Sequence, residues 1–260
     1  MSFLEEFEEF MRAHGISGGF TPVPITARCE AEAIAQQAEL QALVGQTSFV
    51  VEDRWRSRPE QMRSRILSHS RVFTQVYARN CELRRIDKPT AAAFLKESHD
   101  YADALCRYRY GLYLKRLTGE KQYGCATVVN PGTLVAVAEF SNLRNLDLDG
   151  TRSRSCQWIR YASLPGVRVE GGMGKMLKGL IKDADPDDVM TYADLEWSDG
   201  GAYRALGFEF IDYHRPVLFR IDPLTWQRTA VDSRKGASSS VDSPLWYMNF
   251  GSARYRLRLR

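Results

Sequence analysis

A cluster of glycines at the start of a candidate helix forms a pattern that can bind an anion. A strand is predicted over residues 158–164 and a helix over residues 175–183. Three glycines precede this helix: Gly171, Gly172 and Gly174. They let the backbone approach a ligand closely, and the amide groups and dipole of the helix favour an anion such as pyrophosphate. Lys175 would add positive charge. The same pattern is also typical of an ordinary turn, and neither a P-loop nor a G-x-G-x-x-G fingerprint is present.

A second motif follows one predicted strand later and makes the pattern more specific. The segment Tyr203-Arg-Ala-Leu-Gly-Phe208 matches Y-x-x-L-G-F, and Gly172-Met-Gly-Lys-Met-Leu177 matches G-x-G-x-x-L. Together they resemble the GNAT superfamily of N-acetyltransferases, in which the glycine turn holds the pyrophosphate of acetyl-CoA. One position departs from the family pattern. Val169 stands where the family has Gln or Arg, and Arg168 lies one residue early.

The resemblance implies a protein that transfers an acetyl group from acetyl-CoA, or another acyl-CoA, to an amine. The amine would attack the thioester directly in a ternary complex, and Tyr203 would protonate the departing thiolate. Backbone groups of residues 162–164 would bind the pantetheine arm, where the strand ending near Leu164 diverges from the strand beginning near Val189. The residues expected to bind the cofactor are Ala162, Leu164, Val169, Gly171, Gly172, Met173, Gly174 and Lys175.

Candidates for the general base and for the acceptor site are polar side chains on the predicted strands. Glu139 ends an apolar strand, and Asp194 and Glu196 share one face of the strand before Tyr203. Each carboxylate could instead form a buried ion pair with an arginine. Arg160 shares strand parity with Trp158 and Ala162, so it is expected to face the cleft, where it would bind an acidic substrate group or pair with Asp194. The predicted catalytic residues are Tyr203, Glu139 and Asp194, and the predicted substrate-binding residues are His99, Arg160 and Glu196.

Two alternatives remain open. Phe94-x-x-x-x-His99, residues 135–140 and Thr191-Tyr-Ala-Asp194 resemble a GNAT branch common in phage and mobile-element proteins and, more distantly, the DNA-modification protein Mom. This resemblance implies a nucleobase-modifying protein, with the arginines of residues 54–65 contacting nucleic-acid phosphates instead of forming a solvated face. The other alternative is a degenerate GNAT that binds without catalysing, because Val169 replaces Gln or Arg and no base is obvious.

The elements that must position these residues are strands and helices in mixed order from residue 72 onward. They predict an α/β (α+β) fold in which a GNAT-like central mixed sheet is flanked by helices. Residues 1–80 are predicted to be a mainly helical extension, and residues 81–260 the GNAT-like domain. Residues 208–221 are predicted to be a strand interrupted at Pro216, and residues 224–240 an exposed loop.

Composition limits the class of protein. The chain has 260 residues, of which 44% are hydrophobic and 26% charged, and its net charge of +4 permits an anionic partner without requiring nucleic acid. No apolar run reaches about 18 residues, so no membrane span is expected. The start is acidic and amphipathic, unlike a secretory signal. The 5 cysteines are spread along the chain, so neither a metal site nor a disulfide framework is expected and a cytoplasmic location is predicted.

Overall fold

Strands and capped helices alternate along the chain and form a mixed α+β fold with a multi-strand mixed sheet. The structure, a computed structural model, describes residues 1–101, 104–117, 121–124, 127–148, 150–231 and 243–260. The chain forms two units that are each discontinuous in sequence. Unit 1 comprises Met1–Met62, Ala193–Ala202 and Phe210–Arg254, and unit 2 comprises Arg63–Tyr192, Tyr203–Glu209 and Tyr255–Arg260. The predicted boundary between residues 80 and 81 lies within unit 2.

The described residues form seven α-helices, and side-chain caps are seen at the starts of the first and the fifth. They are α1 (Phe3–Ala13), α2 (Glu30–Leu40), α3 (Glu52–Ser57), α4 (Pro59–His69), α5 (Lys88–Ser98), α6 (Gly172–Ala184) and α7 (Gly201–Arg204). The Ser2 hydroxyl accepts the Glu5 N–H, and the Glu5 carboxylate accepts the Ser2 N–H, which completes a capping box at α1. Asp87 caps α5 by accepting the Thr90 N–H at 2.9 Å.

The strands of the described residues range from three to 13 residues in length. They are β1 (Phe20–Val23), β2 (Ser48–Val51), β3 (Phe73–Tyr77), β4 (Cys81–Arg85), β5 (Tyr108–Leu114), β6 (Lys121–Tyr123), β7 (Leu134–Phe140), β8 (Arg144–Leu148), β9 (Thr151–Ser163), β10 (Val167–Glu170), β11 (Asp188–Asp194), β12 (Glu209–His214), β13 (Leu218–Ile221), β14 (Arg228–Ala230), β15 (Leu245–Met248) and β16 (Ser252–Arg258).

Unit 2 is built on a sheet in which strands β4, β5, β7, β9 and β11 are successive neighbours. The pairs β4–β5, β5–β7 and β7–β9 are antiparallel, whereas β9 and β11 are parallel and are connected through β10 and α6. Strand β8 pairs with β9 as an antiparallel hairpin. A smaller sheet has the order β10-β3-β6. The sheet is therefore mixed, as the alternation of strands and helices in the sequence predicts.

Helices cover the sheet of unit 2 through apolar side chains. Ala91 and Leu95 of α5 pack on Val137 of β7 and Ala162 of β9, and all four are buried. Helix α6 contacts strands β4, β5 and β7. The Tyr110 hydroxyl of β5 donates to Asp183 of α6 at 2.8 Å. The hydrogen bond from Tyr110 attaches the C-terminal end of α6 to the sheet.

Unit 1 has an aromatic core that α1 and α3 supply. The Trp55 ring lies 6.0 Å from Phe3, 5.9 Å from Phe7 and 5.6 Å from Phe10, measured between ring centroids, and its indole N–H donates to Glu6. Strands β1 and β2 form a parallel pair, and β14, β13 and β15 form an antiparallel sheet in that order.

Several local predictions differ from the structure. Helix α6 begins at Gly172 instead of residue 175, so the glycines form its first turn. The region predicted to be mainly helical contains the strand β1, because Phe20–Val23 pairs with β2 despite its proline. By contrast, the predicted interruption at Pro216 is confirmed, since the strands β12 and β13 are separated there. The predicted loop over residues 224–240 contains the short strand β14, and residues 232–240 lie outside the described ranges.

Candidate functional site

The start of α6 is a helix terminus without a side-chain cap. Gly171 adopts the left-handed conformation with φ +74°, and no side chain caps the helix there. The first intrahelical bond runs from the Lys175 N–H to the Gly171 carbonyl at 3.1 Å. The amide groups of Gly172, Met173 and Gly174 precede that bond, so the helix itself supplies them with no acceptor. Together with the helix dipole, these three amides can bind an anionic oxygen.

Neighbouring side chains leave no room for a side chain at Gly172. A Cβ atom at Gly172 would lie 2.8 Å from the Tyr161 hydroxyl oxygen and 3.1 Å from the Val169 side chain. Val169 is buried, and its strand β10 pairs with β3 opposite Val76. Val169 therefore supports the glycine turn by packing and offers no polar group to a ligand. Arg168 is exposed, 3.9 Å from Glu170, and its guanidinium lies 5.4 Å from the Phe73 ring centroid.

Lys175, a predicted ligand for the cofactor, is held by backbone carbonyls. Its ammonium group donates to the Ala78 oxygen at 2.8 Å and to the Cys81 oxygen at 2.5 Å. These bonds attach α6 to the segment between β3 and β4. The Lys175 ammonium therefore has a structural role. The partial positive charge at the start of α6 comes from its backbone amides.

The first three residues of β11 pair with the middle of β9. The parallel ladder joins Ser155–Gln157 to Asp188–Met190, and β9 continues to Ser163. Immediately after the ladder, the Thr191 hydroxyl donates to the Trp158 carbonyl at 3.2 Å. No further ladder pair joins the two strands among the described residues, and Val189 lies inside the ladder opposite Cys156. The divergence expected near Leu164 and Val189 stays a prediction.

A bulge in β9 at this point changes which face its side chains occupy. Trp158 pairs with Phe140, Arg160 pairs with Glu139, and the register shifts between them, leaving Ile159 as the extra residue. Side chains of an antiparallel pair share one face, and adjacent residues of β7 occupy opposite faces. Trp158 and Arg160 therefore lie on opposite faces of the sheet. Their predicted shared parity is wrong, whereas Arg160 does share a face with Ala162.

The aromatic ring of Tyr203 packs where β9 and β11 diverge. It lies 6.0 Å from Trp158 in an edge contact, 5.7 Å from Phe208 and 6.1 Å from Tyr255. Burial raises the pKa of the Tyr203 phenol above its ordinary value, and a hydrogen bond with Thr191 acts in the opposite direction. The phenol is consequently protonated at neutral pH and can donate a proton or a hydrogen bond.

Part of the backbone of β9 beyond the bulge forms hydrogen bonds within the sheet. The Leu164 N–H donates to the Val135 carbonyl at 2.9 Å, and Ala162 pairs with Val137. Because backbone groups alternate in direction along a strand, those of Tyr161 and Ser163 point away from β7. The polar groups available to an extended ligand are thus at residues 161 and 163, each one residue before a predicted position, 162 or 164.

Glu139 is fully buried and bonded at both carboxylate oxygens. Oε1 accepts from the Arg109 side chain at 3.3 Å, and Oε2 accepts from the Ala104 N–H at 3.2 Å. Arg109 is itself mostly buried, so the two form an ion pair. Glu139 therefore forms a buried ion pair, which the sequence left open as an alternative to catalysis, and its partner is Arg109. The pair attaches the segment after α5 to β7.

His99 and Arg160, both predicted to bind substrate, lie near each other in unit 2. The His99 ring nitrogen Nδ1 lies 3.0 Å from both the nitrogen and the oxygen of the Tyr101 backbone. Burial lowers the pKa of His99 to about 4; Arg160 and Arg65 act in the same direction and Asp100 against it. The imidazole is therefore neutral at pH 7. The Arg160 guanidinium lies 5.2 Å from the Tyr101 ring centroid.

Asp194 and Glu196 belong to unit 1. Asp194 forms a local hydrogen bond, whereas Glu196 forms buried contacts. The Asp194 carboxylate accepts the Glu196 N–H at 3.0 Å. The Glu196 carboxylate accepts from the Tyr247 hydroxyl at 2.6 Å and lies 3.8 Å from Arg228. Arg228 donates twice to Asp53, at 2.6 Å each. We call Asp53, Glu196, Arg228 and Tyr247 the buried ion cluster.

The buried ion cluster makes stability depend on pH. Burial and the neighbouring Asp194 raise the pKa of Glu196 from 4.5 to about 7, although Arg228 and Tyr247 lower it. The folded state then binds this proton more tightly than the unfolded state, so the contribution is present below pH 4.5 and is lost as the pH rises through 7. We expect the Glu196→Gln variant to gain on the order of 2–3 kcal/mol relative to the wild type between pH 4.5 and 7.5.

Urea unfolding of both proteins across this pH range measures the difference, and subtraction removes titrations that both share. The matched control is Glu170→Gln, because Glu170 is exposed beside Arg168. Parallel stability curves for wild type and Glu196→Gln would contradict the prediction.

The arginines considered for nucleic-acid binding have acidic or polar partners. Arg56 donates to Glu52 at 3.0 Å and lies 3.5 Å from Glu6. Arg65 is paired with Asp100, and Arg58 donates to Gln61. These contacts give part of the arginine-rich segment a structural use.

Sequence reasoning gave no role to three residues that contact the site: Thr191 and Phe208 beside Tyr203, and Tyr161 beside Gly172. Thr191 and Phe208 lie in segments quoted for the resemblance, but their contacts with Tyr203 depend on the tertiary structure. No helix among the described residues is long and apolar enough to cross a membrane. The same part of the chain contains no cluster of three His, Cys, Asp or Glu side chains arranged to hold a metal ion.

No protein-family model and no curated protein matches the sequence. An assignment of function to this chain therefore depends on the geometry described above.

Proposed function

We propose that this protein is a GNAT-like acyltransferase that moves an acetyl or other acyl group from acyl-CoA to an amine. The observation that carries the proposal is the divergence of β9 from β11, with Tyr203 packed at the point where their ladder ends. The chain order of strand β9, short strand β10, glycine turn, helix α6, strand β11 and short helix α7 supports it. This order matches the arrangement that the two sequence motifs imply.

The residues at the start of α6 fit the phosphates of a coenzyme A molecule. The amides of residues 172–174 and the helix dipole would hold the diphosphate, and Gly172 leaves the backbone bare. Lys175 is excluded from that role by its bonds to Ala78 and Cys81. The binding of the diphosphate therefore depends on backbone amides, which also explains how Val169 is tolerated at a position where the family has Gln or Arg.

The part of β9 beyond the bulge would bind the pantetheine arm. Tyr161 and Ser163 direct backbone groups away from β7, toward the opening between β9 and β11. An extended chain of amides can pair with such an edge as an additional strand would. The acyl group would then be held near the ring of Tyr203.

The transfer proceeds by direct attack in the ternary complex. The acceptor nitrogen forms a bond to the thioester carbonyl carbon, the carbon–sulfur bond breaks, and the Tyr203 hydroxyl gives its proton to the departing sulfur. Positioning of donor and acceptor provides much of the rate. The proton lost by the amine passes to solvent, because Glu139 is bonded to Arg109 and Ala104, and Asp194 accepts from Glu196. Solvent then restores the Tyr203 proton.

Calorimetric titration with acetyl-CoA tests the proposal directly. We expect saturable binding, and at about 100 times the dissociation constant the ligand should stabilise the protein by about 2.7 kcal/mol. Acetyl-pantetheine, which lacks the diphosphate, is the matched control and should bind far more weakly. Absence of acetyl-CoA binding would overturn the proposal. Binding without acyl transfer to any amine would favour the non-catalytic module.

A further inference from the structure

The start of α6 lies between β9 and the turn that follows β3. A Cβ atom at Gly172 would lie 2.8 Å from the Tyr161 hydroxyl oxygen, whereas a Cβ atom at Gly171 would lie 3.7 Å from the Ala78 Cβ atom. Tyr161 belongs to the part of β9 proposed to bind the pantetheine arm. A coenzyme whose diphosphate binds at the start of α6 therefore has the segment around Ala78 on its other side, where the nucleotide would lie.

Three exposed cations surround this turn, which is a short 3-10 helix over Ala78–Asn80. Arg79 is part of the turn itself. The Lys115 N–H donates to the Asn80 carbonyl at 2.8 Å, and the Arg116 Nε donates to the Asn80 side-chain oxygen at 3.5 Å. All three of these basic residues are exposed. We call Arg79, Lys115 and Arg116 the cation cluster.

The cation cluster forms no ion pair with a carboxylate of the described residues. Glu82, on the neighbouring strand β4, is exposed and is paired with Arg84 at 2.7 Å. The hydrogen bond from Arg84 is the main reason why the pKa of Glu82 is lowered, and the charges of Lys115 and Lys175 lower it further. The cluster is therefore a region of positive potential that is open to solvent, so an anion can reach it.

A phosphate group suits these side chains. The guanidinium of Arg79 lies 4.5 Å from the centroid of the Tyr77 ring, which orients its donors. Arginine presents paired N–H groups that match phosphate oxygens, and lysine adds a mobile charge. In coenzyme A, a 3′-phosphate is attached to the same ribose as the diphosphate. With the diphosphate at the start of α6, this second phosphate can reach a cation next to Ala78.

We propose that the cation cluster binds the 3′-phosphate of the acyl donor, so that the protein selects thioesters of coenzyme A over those of its 3′-dephospho form. This inference rests on the proposed acyl transfer. The three residues determine donor specificity and take no part in the chemical step, because the 3′-phosphate is far from the thioester along the coenzyme. A donor without this phosphate would keep the contacts with β9 and the start of α6 and lose only those with the cluster.

Calorimetric titration with acetyl-CoA and with acetyl-3′-dephospho-CoA tests the inference. We expect the wild type to bind acetyl-CoA about tenfold more tightly, and high salt should reduce this preference because the cluster is exposed. Arg79→Gln should weaken the binding of acetyl-CoA and leave that of acetyl-3′-dephospho-CoA unchanged. The double variant Lys115→Gln/Arg116→Gln should behave in the same way. A residue that merely supports the turn would weaken the binding of both donors equally.

The control variant is Arg107→Gln. Arg107 is exposed and precedes β5, whereas Lys115 and Arg116 follow the other end of that strand, so this variant removes the same charge away from the cluster. It should keep the wild-type preference. Equal binding of the two donors by the wild type would overturn the inference alone, whereas absence of acetyl-CoA binding would overturn the acyl transfer as well. An unchanged preference in both cluster variants would also overturn the inference. The wild-type comparison decides the matter even if the variants fold poorly.

Discussion

Replacing Tyr203 with Phe is expected to lower kcat for acyl transfer by about a hundredfold or more. The substitution removes the hydroxyl that would protonate the departing sulfur and keeps the ring that packs on Trp158, Phe208 and Tyr255. Because the ring contacts persist, KM for acetyl-CoA and the melting temperature should stay close to wild type. Steady-state rates with a thiol-reactive dye, together with calorimetric titration of acetyl-CoA, measure both quantities.

The control for this prediction is Tyr213→Phe, because Tyr213 is 69% exposed on β12 and outside the proposed site. It should leave kcat unchanged. If Tyr203→Phe transferred acyl groups at the wild-type rate, the role of Tyr203 as proton donor would be wrong, although coenzyme binding could still hold. A large loss of thermal stability in Tyr203→Phe would instead show that Thr191 needs the hydroxyl as a structural partner.

Replacing Arg228 with Met is expected to lower the free energy of unfolding by about 3–5 kcal/mol. Arg228 is the cation of the buried ion cluster, and its side chain is only 5% exposed. It donates to Asp53 and lies over the rings of Tyr247 and Phe219, at 5.0 and 5.1 Å. Methionine fills similar volume but leaves the Asp53 and Glu196 carboxylates buried without a cation. Urea unfolding monitored by circular dichroism measures the effect.

A partner substitution separates charge from packing in this cluster. Adding Asp53→Asn and Glu196→Gln to Arg228→Met should recover much of the loss, since no uncompensated charge would remain. Arg84→Met, which breaks an exposed pair with Glu82, should leave unfolding unchanged. A loss in Arg228→Met no larger than in Arg84→Met would show that the cluster contributes little to stability.

The proposed acyl transfer depends on an irregularity of β9. The bulge at Ile159 puts Trp158 on the face where Tyr203 packs and Arg160 on the other face. The parallel ladder with β11 ends just before this bulge. The donor would be held beyond that point, beside Tyr203.

Much of the fold could be predicted from local sequence. The apolar run that ends near Glu139 indicated β7, and Pro216 indicated the break between β12 and β13. The glycine turn and its helix were also predicted, since glycine is needed where Gly171 has φ +74°. Strand β1 was missed because a short segment with a proline is stabilised mainly by its pairing with β2.

The chain by itself determined the elements and the residue types available for chemistry, because capping, periodicity and glycine conformations act over a few residues. Tertiary structure decided which polar groups are already bonded. Glu139 meets Arg109 across 30 residues, Lys175 meets the Ala78 carbonyl across 97, and Asp53 meets Arg228 across 175. It also decided the face of Arg160, because one extra residue in β9 reverses the alternation that sequence parity assumes. Ion pairs and strand register depend on partners distant in sequence, and local pattern carries no information about them.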